Sequence, residues 1–309
     1  MAILFHSLPS SVTRWRPLLA ELAPDLEVRI SPDIGDAKDI EFAIVWEPPI
    51  GLLASLPNLK LVCSLGAGVD HITRDRTIPA NVPIARLVDP HMAVLISEYV
   101  ALQTERIHRN DLLYREQQQR RLWREHPQPD ANSRTVGLLG LGRLGEAAAR
   151  RLLGLDFKVV GWSRTQKSID AVICYTGAAG LELVLARADI LVCLLPLTPD
   201  TDGILCQRNF ERMKRGAAVV NCARGAHVVD ADLIAAIDSG QLSGAVLDVF
   251  RREPLPADHP FWAHPRIVIT PHVAAFTNPQ TAARIILANI RRVLAGGRPR
   301  DLVDRAAGY

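Results

Sequence analysis

Short apolar runs alternate with segments whose apolar residues recur every three or four positions, from one end of the chain to the other. Residues 2–5, 28–30, 42–46, 59–65 and 83–87 predict strands, separated by helical spacing such as that over 12–22. A long helix is expected from about 92 to 123. The polar, proline-containing stretch 126–134 ends it and is the clearest internal break in the pattern. A second series follows at 135–139, 157–162, 189–195, 217–221, 244–249 and 266–270, with helices such as 143–153 and 231–239 between the strands. Strands apolar on both faces and spaced by helices imply doubly wound parallel sheets. A last helix, roughly 280–294, comes after the second sheet is complete and is free to pack back on the first lobe.

A length of 309 residues favours two domains over one core. With 48% hydrophobic and 22% charged residues the chain has material for a sizeable core and lacks the signature of disorder. The net charge is +3, with no long block of one sign, so nucleic acid is not an implied partner. The charge is uneven: the first hundred residues hold 8 Lys/Arg against 12 Asp/Glu, the remainder 28 against 21. A basic second lobe suits an anionic cofactor. Five cysteines without a C-x-x-C spacing suggest free thiols and a reducing cytoplasm. Neither an export signal nor a membrane span is expected.

The strand 135–139 runs into Gly140, Leu141, Gly142, Arg143, Leu144 and Gly145, and then into a helix. This is a G-x-G-x-x-G spacing in a strand-to-helix setting, where glycines allow a tight turn and close approach of a pyrophosphate to a helix N-terminus. The next strand ends in Ser163, Arg164 and Thr165, with Lys167 beyond, where an acid would ordinarily take the ribose hydroxyls of NAD. A guanidinium, two hydroxyls and an ammonium suit the 2′-phosphate of NADP instead.

Ligands of doubly wound folds bind beyond the carboxyl ends of strands. There stand Arg224 after one apolar run, Glu253 five residues beyond Asp248, and His272 after another. Reduction of a 2-oxoacid needs a fixed cation, a proton donor and a carboxylate to orient and charge that donor, and these three supply one of each. His259 and His264 lie in a turn, and His6, His71, His91, His108, His126 and His227 lack a strand-end setting combined with a partner acid. No His, Cys or Asp cluster has metal-ligand spacing.

The motifs NCARG at 221–225, LDVFRREPLP at 247–256 and TPHVA at 270–274 closely resemble the D-2-hydroxyacid dehydrogenases. AIVWEPP at 43–49, LGAGVD at 65–70, WSRTQKS at 162–168 and DRAAGY at 304–309 resemble the glyoxylate/hydroxypyruvate reductase A group within that family. The resemblance spans essentially the whole chain. It implies two Rossmann-like domains with the active site in the cleft between them: residues 1–98 and 276–309 for substrate, 99–275 for NADP. By position, Arg224 is expected to bind the substrate carboxylate and polarise its carbonyl, His272 to donate the proton, and Glu253 to hydrogen-bond His272. Asp248 resembles a second acid near the nicotinamide, and Leu195, Pro196 and Ala223 are expected along the cofactor. Ala67, Gly68 and Val69 resemble a loop that holds the carboxylate through backbone N–H groups, with Trp46 walling the pocket.

The activity so implied is reduction of small 2-oxoacids by NADPH. Relatives acting on bulkier oxoacids, or sensing nucleotide without turnover, are the alternatives. A homodimer joined through the cofactor domains is implied as well. Trp123 resembles a tryptophan that reaches a neighbouring subunit, or else packs in the core or on the surface. The segment 89–94 departs from the family's usual glycine or threonine pattern.

Overall fold

Runs apolar on both faces become strands buried between helices, and a computed structural model describing residues 1–309 gathers twelve of them into two sheets in which every paired strand is parallel. Two compact units result, Met1–Met92 with Thr277–Tyr309, and Ala93–Phe276.

The first unit contains β1 (Ala2–His6), α1 (Pro9–Leu22), β2 (Glu27–Ile30), β3 (Ile40–Val45), β4 (Leu61–Ser64), α2 (Asp70–Thr73) and β5 (Ile84–Ala85). Its sheet order is β2-β1-β3-β4-β5. The chain therefore leaves β1 on one side and returns on the other, a reversal that opens a crevice at the carboxyl ends of β1 and β3. Period-two alternation sends Leu4, Ala43, Val45 and Val62 into one apolar cluster with Leu53, Ile72 and Ile78.

The chain passes into the second unit along α3 (Pro90–His108). The segment that departs from the family pattern starts this helix: Asp89 Oδ1 accepts the His91 N–H at 2.9 Å, and Pro90 takes the first helical position. The single helix expected over 92–123 is in fact two. Asn110 adopts φ +60°, a left-handed conformation that asparagine tolerates, and α4 (Asp111–Gln119) begins after it. The polar stretch 126–134 lies wholly inside the second unit, joining α4 to the first strand of its sheet, and so does not divide the domains.

That sheet comprises β6 (Thr135–Leu139), β7 (Lys158–Trp162), β8 (Val172–Tyr175), β9 (Ile190–Cys193), β10 (Ala217–Asn221), β11 (Leu242–Leu247) and β12 (Ile267–Ile269), with α5 (Arg143–Leu153), α6 (Gly177–Arg187), α7 (Gln207–Phe210) and α8 (Asp230–Asp238) between strands. The order is β12-β11-β10-β9-β6-β7-β8, which reverses between β6 and β9. Alternate residues feed two cores. Leu139, Leu191, Val219 and Ala245 meet α6, α7 and α8 on one face, while Leu138, Val192, Val220 and Val246 meet α3 and α5 on the other.

After β12 the chain returns to the first unit as α9 (Pro279–Leu294), which packs on α1. Asn278 caps it, accepting the Gln280 N–H at 2.9 Å, and Arg291 donates to Leu22 O at 3.1 Å. Beyond α9 the tail lies along β5, where Val303 N–H donates to Ile84 O at 2.8 Å. No helix is long and apolar enough to cross a membrane.

Candidate active site

The reversal between β6 and β9 is where a doubly wound sheet offers its nucleotide crevice, and the glycine-rich turn stands there. Gly140 has φ +106°, and a Cβ on it would lie 2.7 Å from Leu194 O. A Cβ on Gly145 would lie 1.9 Å from Gly140 O, so only glycine lets α5 start this close to β6. The chain itself therefore requires these two. Gly142, the residue capping α5, differs: a Cβ there would meet nothing within 4 Å, and both Gly142 and Arg143 are exposed. Leu144 is half-buried and packs on the core below. The first-turn N–H groups of α5 carry partial positive charge beside open space, which fits a dinucleotide pyrophosphate.

At the end of β7, Ser163 is buried, its Oγ donating to Thr165 O at 2.9 Å. The serine hydroxyl thus shapes the loop, while Arg164, Thr165 and Lys167 are exposed along it. No carboxylate stands among them. Leu195 and Ala223 are core residues, and Pro196 is half-buried, its carbonyl accepting from Thr201 Oγ1 at 2.7 Å.

Arg224, Glu253 and His272 follow β10, β11 and β12, three neighbouring strands of one sheet. His272 Nδ1 lies 2.7 Å from Glu253 Oε2, and Glu253 Oε1 accepts the Phe250 N–H at 2.8 Å. Burial pushes the Glu253 carboxyl up, but the hydrogen bonds from His272 and Phe250 and the nearby charges of His272 and Arg224 outweigh it, so its pKa lies below the ordinary value. Arg224 is half-buried and donates from Nη1 to Ala223 O at 2.8 Å. Gly225 is required beside it, since a Cβ would lie 1.8 Å from the Phe250 backbone.

Asp248 is turned inward and only 1% exposed. Its Oδ1 accepts Thr270 Oγ1 at 2.6 Å and the Val273 N–H at 2.9 Å, and Oδ2 accepts the Ala274 N–H at 2.9 Å. Tyr99 OH in turn lies 2.7 Å from Thr270 Oγ1. Burial raises the Asp248 pKa, with those hydrogen bonds opposing it. The carboxylate holds the backbone on the far side of His272, whose own N–H donates to Asp248 O at 2.8 Å. That grip keeps His272 at φ +55°, a conformation histidine rarely adopts.

In the first unit, Trp46 follows β3 and its ring lies over Gly66, where a Cβ would sit 2.5 Å from it. Its ring stacks near that of the buried His71, centroids 4.3 Å apart, and His71 Nδ1 accepts the Glu47 N–H at 3.0 Å. Ser64 Oγ accepts the Gly66 N–H at 3.1 Å. Ala67 and Gly68 are half-buried and Val69 is buried, so Trp46 and this loop form one local cluster. Trp123 is 96% exposed, which removes core packing as its role. No group of three His, Cys, Asp or Glu residues could hold a metal ion, and all five cysteines are free.

Residues 103–274 match the family described as D-isomer specific 2-hydroxyacid dehydrogenase, NAD binding domain. The chain is 41% identical over 314 aligned positions to a glyoxylate/hydroxypyruvate reductase A from Yersinia enterocolitica and 42% identical to one from Serratia proteamaculans, covering 100% of both chains in each case. Among solved structures, a D-isomer specific 2-hydroxyacid dehydrogenase from Xanthobacter autotrophicus Py2 in complex with NADPH and MES superposes with a TM-score of 0.93 at 40% identity, covering 100% of this chain and 99% of that one. An NADPH-dependent glyoxylate/hydroxypyruvate reductase from Sinorhizobium meliloti, in complex with NADP and sulfate, gives 0.92 at 37% identity over 100% of both.

Proposed function

The chain belongs to the D-isomer specific 2-hydroxyacid dehydrogenase family, and on that premise we propose that it reduces small 2-oxoacids, glyoxylate to glycolate and hydroxypyruvate to D-glycerate, with NADPH. The carrying observation is the trio beyond three adjacent strands, a guanidinium beside an imidazole and carboxylate paired at 2.7 Å. The substrate class follows from the full-length reductase relatives.

Arg224 binds the substrate carboxylate and polarises the carbonyl, because a planar guanidinium can hold both oxygens at once. His272 faces Glu253 through Nδ1, so the proton it gives to the carbonyl oxygen leaves from Nε2. Glu253 orients the ring through its contact with Nδ1. Bound NADPH supplies the hydride to the carbonyl carbon. Asp248 supports the turn carrying His272 rather than touching substrate. Gly140, Gly142, Arg143, Leu144 and Gly145 cradle the pyrophosphate, and Arg164, Thr165 and Lys167 take the 2′-phosphate, with Ser163 shaping their loop. Leu195, Pro196 and Ala223 line the cofactor further along. In the first unit the Ala67, Gly68 and Val69 backbone binds carboxylate and Trp46 walls it. The reading includes a homodimer and a cytoplasmic location, in keeping with five free thiols.

The test is NADPH oxidation with glyoxylate and hydroxypyruvate, repeated with NADH. Charge-assisted hydrogen bonds of roughly 1.5–3 kcal/mol each make the expected NADPH preference about ten-fold to several hundred-fold in kcat/KM. Arg164→Asp should shrink or reverse it by repelling phosphate and offering an acceptor to ribose hydroxyls. Absence of turnover overturns the activity, and equal use of the two cofactors overturns the phosphate site.

A further inference from the structure

His227, which the sequence pattern leaves without a partner acid, is 0% exposed beneath the loop that carries Arg224. The Arg224 N–H donates to its Nδ1 at 3.2 Å, and the same nitrogen lies 3.0 Å from Arg224 O. On the opposite side of the ring, Nε2 lies 3.3 Å from Pro196 O, on the loop after β9 and 31 positions earlier in the chain. The ring thus spans two backbone segments that follow adjacent strands.

Competition at each carbonyl decides how the ring is used. Arg224 O already accepts from Asn221 Nδ2 at 2.9 Å and from the His227 N–H at 3.2 Å. With the ring neutral, Nδ1 serves best as acceptor for the Arg224 N–H, and the Nε2 proton goes to Pro196 O, which also accepts from Thr201 Oγ1, while the Cys193 side chain is a further partner of the ring. A buried N–H left without an acceptor is unfavourable, so removing the imidazole would let the Arg224 backbone turn to find another one. The guanidinium reaches substrate through that backbone.

We infer that His227 is a positioning residue, a buried strut that fixes the Arg224 backbone against the Pro196 loop and so ties the grip on the oxoacid carboxylate to the adjoining part of the cofactor site. The inference rests on Arg224 being the carboxylate-binding residue of the proposed function. Two conservative replacements separate the ends of the strut. Asparagine keeps an acceptor close to Nδ1 but is too short to reach Pro196, whereas glutamine keeps a donor close to Nε2 and loses the acceptor for Arg224.

The experiment titrates NADPH onto full-length wild-type, His227→Asn, His227→Gln and His227→Leu proteins by cofactor fluorescence, then titrates oxalate, an unreactive oxoacid analogue, onto each NADPH complex, with melting temperatures recorded alongside. His227→Asn should keep wild-type oxalate affinity and bind NADPH more weakly. His227→Gln should keep NADPH affinity and lose about five-fold in oxalate affinity, the size of one net hydrogen bond. His227→Leu should lose both. The inference is overturned if the Asn and Gln variants do not part in this order, whether both bind like wild type or both weaken in step with melting temperature. Oxalate binding by a wild-type enzyme that fails to reduce glyoxylate removes the substrate class and leaves the strut readable. A wild-type complex that binds no oxalate overturns both.

Discussion

Glu253 stands in a half-exposed setting where burial alone would favour its neutral form, yet the contact with His272 and the Phe250 N–H hold it ionised. A carboxylate whose folded pKa lies below its unfolded value stabilises the protein above that value, and the contribution disappears as pH falls through the folded one. The sign is therefore set. Glu253→Gln should lower the melting temperature at neutral pH, and its gap to wild type should narrow as the pH drops below 4.5, the ordinary value for the group. Thermal melts across an acid pH series check this, and a gap independent of pH removes the ionised pair from the account. Residue types at this scale were open to sequence reading because Arg224, Glu253 and His272 each follow an apolar run. The inward turn of Asp248 was not. It depends on three donors from the loop after β12 and on Tyr99, brought together only by packing.

The turn from β6 to α5 shows how far one spacing can be divided into separate physical demands. Gly145→Ala forces a methyl to 1.9 Å from a backbone carbonyl and should lower the melting temperature sharply, with NADPH binding lost as the helix moves off the strand. Gly142→Ala meets only open space and should leave the melting temperature unchanged while weakening NADPH, because its methyl projects beside the helix N-terminus. Differential scanning fluorimetry and NADPH titration on the two variants distinguish these outcomes, and equal melting losses refute the division. Most strands were legible as elements because both faces are buried. β8 was not, although Val172–Tyr175 is a short apolar run; it is a four-residue strand, part-exposed on the edge of the sheet, and lacks the burial on both faces that marks the others. The break between α3 and α4 escaped for another reason: Asn110 is a permissible helical residue, and its left-handed turn leaves no strong mark in the periodicity.

At the scale of the molecule, Trp123 at 96% exposed, Leu102 at 56% and Leu122 at 50% leave large apolar side chains on the α3–α4 region of the second unit. Exposed apolar surface of this kind favours association. Light scattering at micromolar concentration should give twice the 33.9 kDa chain mass, and Trp123→Ser should shift the enzyme toward monomer. A monomeric wild type refutes the dimer. The path of the backbone carries a different consequence. The first unit is begun by residues 1–92 and finished by 277–309, with α9 against α1 and the tail along β5, while the second unit is built from one unbroken stretch. During synthesis, then, the earliest segment to leave the ribosome waits longest for its partners: 184 intervening residues can assemble into the cofactor-binding unit first, and α1 keeps an uncovered flank until translation reaches α9.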